Sequence, residues 1–328
     1  MRYLVIDVGG TFTKYAVMDE ECNFFVKDKV ETRQESLEAF LTMLVQLYEN
    51  YRGEVSGIAL SSAGMIDSET GFMYNGGSLF CIKNMNVVEI LQERCGVPVS
   101  VENDAKCAAL AEVWRGTLSD CRNAVVVICG TAVGGAVIVD RKVLKGNHFM
   151  AGEFSYVLTD STDAMNAEKT LAKSGGMPKL IRMVAEKKGI AEKELSGEKI
   201  FSMADTGDEE ALACVREFAR GIAVQITNYQ YILDPERIAI GGGVSVQPLF
   251  LQIIREELKK LNGIYPHAVP IPEVVTCRFF NDSNLIGALY VHLKSQEEKI
   301  DLDKVRELMS LLGDRREGQY LRELFAVK

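Results

Sequence analysis

The stretch RYLVIDVGGTFTKYAVMD, residues 2–19, joins two apolar runs, Tyr3 to Ile6 and Tyr15 to Met18, through Asp7, Gly9, Gly10 and Thr11. Two such runs around a glycine bend read as a core-packed β-hairpin. Glycine at the bend needs no more explanation than a φ > 0 turn. A carboxylate and a hydroxyl beside it do. The plan returns at residues 123–140, NAVVVICGTAVGGAVIVD, where a Gly-Thr turn with further glycines separates two apolar runs ending in Asp140. Two hairpins of one design predict an internally duplicated, two-lobed α/β protein.

Composition agrees with a folded chain of more than one core. At 328 residues, 47% apolar and 25% charged, it exceeds the size at which a single core stops growing. A formal charge of −9 disfavours a nucleic-acid partner, which recruits excess Lys and Arg. Eight cysteines occur without a CxxC pair, as expected of reduced thiols in a cytoplasmic protein. No signal peptide and no apolar run of about eighteen residues is evident, so no membrane partner is expected.

Between the hairpins, SLEAFLTMLVQLYENY places Leu37, Phe40, Leu41, Leu44 and Tyr48 on one helical face. VSGIALSSAG and VPVSVEND read as strands, VVEILQERCG as a short helix before Gly96, and AKCAALAEVWRG as a helix closed by Gly116. Further helices are expected near 178–188, 208–232 and 248–261, with 158–169 and 189–209 as loop and insertion. The stripe Val305, Leu308, Met309, Leu312 predicts a C-terminal helix packed on the body.

Backbone without Cβ lets N–H groups approach a phosphate closely. Gly9, Gly10 and Thr11 offer one such cradle; Gly130, Thr131, Gly134 and Gly135 offer a second. Opposed across a cleft, they would clamp one polyphosphate, and Asp7 would hold magnesium through water, since hard oxygen ligands suit that ion. Either turn alone reads equally as a plain hairpin. Their duplication favours phosphate. GxxxxGK[ST], a GxGxxG after the first strand, HRD and DFG are all absent. Gly241, Gly242 and Gly243, between a strand and a helix, would admit a flat nucleoside; close packing would explain them as well.

In VENDAKCAALAE, Asn103 and Asp104 stand where a strand meets a helix. Asn and Asp are good N-caps, but a cap needs one of them. The helix macrodipole favours an ionised Asp104, and an ionised carboxylate near an alcohol can orient it and take its proton. Asn103 can donate to and accept from a neighbouring hydroxyl.

IDVGGTFTK, VENDAKCAALAE, CGTAVGGA, AGEF and IAIGGGVS, in that order, resemble the ROK family of sugar kinases and sugar-responsive repressors, within the actin-like ATPase superfamily. The resemblance runs from residue 1 to about 295. It implies an actin-like (ribonuclease H-like) fold of duplicated α/β domains with an interdomain cleft: an N-terminal lobe at 1–116, a C-terminal lobe at 117–295 and a helical tail at 296–328. It implies ATP and Mg2+ as cofactors, with Asp7, Gly9, Gly10 and Thr11 as the first phosphate motif, Gly130, Thr131, Gly134 and Gly135 as the second, and Gly241, Gly242 and Gly243 at adenosine. Asp104 becomes the base for a sugar 6-hydroxyl, with Asn103, Glu153 and Tyr156 as sugar contacts and Gly64 lining the pocket. A homodimer is also implied.

Three departures from the family pattern matter. Ala132 and Ala136 stand where glycine is usual, and a methyl there would crowd the phosphates. GEFSY, with Tyr156 in place of a histidine, is followed by no cysteine-rich motif, so no zinc is expected; this pattern, with NGGSL near residue 75, is similar to the β-glucoside kinase branch. The first motif begins almost at Met1, where repressor members carry a winged helix. The expected activity is phosphorylation of the 6-hydroxyl of a hexose or β-glucoside, of glucose or cellobiose type. The alternatives are a non-catalytic sugar sensor, a kinase for fructose or N-acetylmannosamine, and an acetate-kinase-like or chaperone-like ATPase. His148, His267 and His292 fall in no motif, Trp114 reads as core, and Glu168 is a weak match to a sugar-binding glutamate.

Overall fold

The computed structural model describes residues 1–264 and 270–312, with only the helical backbone for 300–303 and 305–312. The opening hairpin forms as read: β1 (Arg2–Val8) pairs antiparallel with β2 (Phe12–Asp19), Val8 opposite Thr13. β3 (Phe24–Glu31) flanks β2. After helix α1 (Leu37–Glu49), β4 (Ile58–Ser62) joins β1 in parallel. A small sheet of β5 (Ile66–Asp67), β6 (Phe72–Asn75) and β7 (Lys83–Asn86) leads to α2 (Val87–Cys95). β8 (Val99–Asn103) then runs directly into α3 (Asp104–Arg115).

The second half repeats this plan. β9 (Ala124–Cys129) and β10 (Val133–Val139) form the hairpin, with β11 (Lys142–Val143) at its edge. Helices α4 (Leu171–Ser174), α5 (Met177–Lys188), α6 (Gly197–Asp205) and α7 (Glu209–Leu233) precede β12 (Arg237–Gly241), α8 (Pro248–Asn262) and β13 (Glu273–Thr276). Strand order is β3-β2-β1-β4-β8 in one sheet and β11-β10-β9-β12-β13 in the other. In both, the hairpin is antiparallel and the next two strands join in parallel.

α3 is buried on nearly every face, because its small side chains let both halves approach it. Cys107 and Ala111 pack with Tyr3, Val5 and Ala59 of the first sheet. Ala109 and Val113 pack with Val126, Ala136 and Ala239 of the second. α9 (Ser283–Leu312) returns to the first sheet, burying Leu285, Ile286 and Leu289 against that same α3 face. Gly287 makes this approach possible, since a Cβ there would collide with the Cys107 carbonyl. Residues 283–295, grouped by sequence with the C-terminal lobe, therefore lie on the first sheet.

Other differences have local causes. The segment 189–209, read as loop, contains α6, capped by Ser196 Oγ accepting from Lys199 N at 3.2 Å and burying Ile200, Phe201 and Ala204. Its apolar positions are too few to stand out among charged neighbours. β3 is an edge strand with mostly exposed side chains, so period-2 patterning is weak there. The backbone of α9 runs through Val305, Leu308, Met309 and Leu312, whose side chains, like His267 and residues 313–328, lie outside the described residues.

Trp114 packs as expected, its ring 5.3 Å from that of Tyr290. His292 is a core residue: its Nδ1 lies 3.0 Å from Ser100 Oγ and its ring 5.2 Å from that of Tyr3. Burial, with a smaller push from Lys299, lowers its pKa from 6.5 to about 4. A base with a depressed folded-state pKa contributes stability that is present above its unfolded value and lost as pH falls through the folded one. The denaturation midpoint should therefore drop between pH 6.5 and about pH 4, with a flatter dependence in His292→Asn.

Candidate active site

A cavity of about 440 Å³ lies where the halves face each other, lined by Gly64, Asn75, Ser78, Asn103, Asp104, Gly130, Ala132, Gly134, Met150, Glu153, Tyr156 and Asn284 among others. The β8–α3 junction contributes Asn103, Asp104 and Ala105 to it. Asn103 has the extended backbone of an N-cap (φ −62°, ψ 142°), and its Oδ1 accepts from Lys106 N at 3.2 Å. Its Nδ2 donates to the Gly64 carbonyl at 3.1 Å. One side chain thus caps the helix and fixes the pocket wall. Gly64 adopts φ +119°, and any side chain there would strike the Asn75 carbonyl.

Glu102, crowded against these residues in sequence, points elsewhere and accepts from Ser68 Oγ at 2.8 Å. Asp104 is half-buried, and its Oδ1 accepts from Ala105 N at 2.8 Å. Burial pushes its carboxyl above the usual carboxylate range and the Asp7 charge adds to this, while the Ala105 N–H and Lys106 pull it back. Desolvation is thus the largest influence on Asp104, acting against the helix-start N–H that favours its ionised form. A raised pKa suits a general base, which works best when its pKa approaches the working pH.

The first turn borders the cavity indirectly. Its bend closes through Gly9 N donating to the Phe12 carbonyl at 3.2 Å. A Cβ on Gly10 would lie 3.4 Å from Ser78 Oγ, and Ser78 lines the cavity. Thr11 is exposed. Asp7, 7% exposed, accepts from Ser61 Oγ at 2.9 Å and Asn284 Nδ2 at 3.0 Å on the same oxygen. Its other oxygen has Lys14 Nζ at 3.9 Å.

The second turn lines the cavity directly, closed by Gly130 N donating to the Ala132 carbonyl at 2.9 Å. A Cβ on Gly134 would stand 3.5 Å from that of Ala105, so this turn abuts the start of α3. Thr131 is exposed beside it. At Gly135 the space a side chain would fill holds the Phe154 ring, so packing alone requires glycine there. Ala136 is fully buried in the core behind the sheet, so its methyl does not crowd a phosphate; Ala132 remains exposed at the cavity.

Gly241, Gly242 and Gly243 stand apart from the cavity lining. Gly242 takes φ +84° with the Cys129 carbonyl where a side chain would be, so close strand approach accounts for that glycine. Space beside Gly243 is open. Glu153 and Tyr156 also line the cavity. Burial raises the Glu153 carboxyl, opposed by Lys106. Glu168 is exposed and faces Arg182 at 3.8 Å, away from the cavity lining.

Sequence reasoning missed Asn284, Ser61 and Lys106. Asn284 comes from α9, far along the chain, and carried no signal; Lys106 was visible as a cation beside the run of small apolar residues of α3. Among the described residues no group of three or more His, Cys, Asp or Glu could hold a metal ion. Asp7 fits magnesium in another manner: one hard oxygen free of close hydrogen bonds, with water and phosphate supplying the other ligands. No helix among the described residues is long and apolar enough to cross a membrane.

The ROK family model matches residues 3–295. This chain belongs to the ROK family, and its architecture is the actin-like ATPase fold of that family's sugar kinases. A β-glucoside kinase of Listeria monocytogenes is 32% identical over 298 residues, covering 90% of this chain and 99% of that one. Among solved structures, a Listeria monocytogenes protein provisionally assigned as an N-acetylmannosamine kinase superposes with TM-score 0.81 at 31% identity, covering 90% of this chain and all 100% of that one. A Streptococcus pneumoniae ROK family protein in complex with sucrose gives TM-score 0.80 at 30% identity, over 91% and 100% of the two chains.

Proposed function

We propose that this protein is an ATP-dependent sugar kinase that phosphorylates the 6-hydroxyl of a hexopyranose or β-glucoside, of glucose or cellobiose type. The observation that carries it is that Asp104 lines one cavity with Gly130 and Gly134 of one glycine turn, with the other turn adjoining through Ser78. The β-glucoside kinase among its relatives supports the substrate class.

In this reading, Asn103, Glu153 and Tyr156 orient the sugar, and Asp104 takes the proton of the 6-hydroxyl as its oxygen bonds to the γ-phosphorus and the bond to the β-phosphate oxygen breaks. Backbone N–H groups of the two turns hold the triphosphate, and the triple glycine turn lies where β12 would meet a nucleoside. Bound beside Asp7, magnesium would neutralise charge on the phosphates. Catalysis is then mainly positioning and electrostatics, with lobe closure excluding water. Lobes at 1–116 and 117–295, with α9 returning to the first, a homodimeric state and a cytoplasmic location complete the proposal.

The test is ADP release across a panel of glucose, cellobiose, other β-glucosides, fructose and N-acetylmannosamine. Turnover with glucose or a β-glucoside, and a product phosphorylated at position 6, is expected. Sugar binding without ADP release would identify a sensor, and sugar-independent hydrolysis an unrelated ATPase role.

A further inference from the structure

Lys106 is a lysine with 1% of its surface exposed, in the first turn of the helix that begins with Asp104. Burying an ammonium is costly unless it is paired and hydrogen-bonded. Here Nζ donates to the Phe149 carbonyl at 2.8 Å and lies 3.7 Å from Glu153 Oε1. Both partners belong to the segment that follows β11 in the second half of the chain. The lysine therefore reaches across the cleft.

This segment is tied to the first half at other points as well. Lys145 Nζ contacts Ser68 Oγ and stands 3.7 Å from Glu102 Oε2. The Phe149 ring stacks on that of Tyr74 of β6, with centroids 5.6 Å apart and planes at 27°. Phe149 itself holds φ +58°, an uncommon conformation for an aromatic residue. A carbonyl presented from that backbone is what Lys106 receives. The Glu153 side chain is 23% exposed and lines the cavity, so one face meets the cavity while Oε1 meets the ammonium.

We infer that Lys106 is a positioning residue that, through the Phe149 carbonyl and Glu153, holds the Glu153 carboxylate in place to receive the sugar. It rests on the sugar-kinase reading above. An ion pair confined between a helix and a crossing loop restricts the carboxylate to one orientation, which lowers the ordering cost at sugar binding. Lys106 lies outside the two glycine turns, so its effect on binding should be confined to sugar, while its pull on the Asp104 carboxyl acts on kcat and leaves the ATP KM alone.

The experiment compares wild type, Lys106→Met, Lys106→Arg, Glu153→Gln and the double variant Lys106→Met/Glu153→Gln, using the best sugar from the panel. Lys106→Met should raise the sugar KM about tenfold or more with the ATP KM unchanged, and Lys106→Arg should recover a substantial part of it. In the double variant the two losses should be non-additive, since removing either partner breaks the same contact. Equal changes in the sugar and ATP KM values, or additive losses, would overturn the inference. If Lys106→Met does not fold, Lys106→Arg and Glu153→Gln are read by sugar-binding calorimetry; an unchanged sugar affinity in Glu153→Gln refutes it. Absence of turnover in wild type on every sugar would instead refute the kinase reading, and the same calorimetry would still test Lys106 on sugar binding.

Discussion

Asp104→Asn is expected to lower kcat by about 10²- to 10⁴-fold, the range typical for loss of a general base, while sugar and ATP still bind. The substitution keeps size and leaves the cap, which belongs to Asn103. In wild type, the acid limb of kcat/KM should fall at a pH above that of an ordinary aspartate. The sign follows from the raised carboxyl: the base works only when ionised, and burial together with Asp7 makes ionisation harder, against the Ala105 N–H and Lys106. The same burial makes the ionised form unfavourable to the fold. A carboxyl raised in the folded state contributes stability below its unfolded pKa that is lost as pH rises through the folded one. Asp104→Asn should therefore melt at a higher temperature than wild type at neutral pH, while being nearly inactive. Unchanged turnover would remove Asp104 from the chemistry.

Glu112→Ala should strongly destabilise the whole fold. Glu112 is fully buried near the end of α3. One carboxylate oxygen accepts from Arg278 N at 2.7 Å and Phe279 N at 3.2 Å. The other accepts from Thr117 N at 2.8 Å and Thr117 Oγ1 at 3.0 Å. Residues 117 and 278–279 lie on the two segments by which the chain passes between halves, so this carboxylate clasps both crossings to the central helix. Removing it leaves three backbone donors without acceptors, at about 1–3 kcal/mol each where they stay buried. A loss of about 3 kcal/mol or more in a denaturant melt is expected, against little change for an exposed control such as Glu69→Ala. A midpoint within about 0.5 kcal/mol of wild type, the range of ordinary surface substitutions, would show that water replaces the carboxylate.

Much of the architecture was legible because its signals are local. The hairpins at residues 2–19 and 123–140 declare themselves by two apolar runs around a glycine turn, and their repetition declared the duplication that the matched strand orders display. α1 followed from periodicity, and α2 and α3 from glycine at their ends. α6 and the strands β3 and β5 to β7 were not legible, since short or mostly exposed elements need little apolar patterning.

The chemistry divides in the same way. Sequence alone determined the kind of residue available at each bend and at the start of α3, because turn geometry and helix capping depend on near neighbours. Only tertiary structure decided which of them meet: Asn284 donating to Asp7, Lys106 crossing to Glu153, Gly135 packing on the Phe154 ring and Ala136 buried in the core. It also decided that burial and the Asp7 charge raise the Asp104 carboxyl. The physical reason is that burial and long-range charge depend on what the rest of the chain packs around a group, and no near neighbour in sequence encodes that.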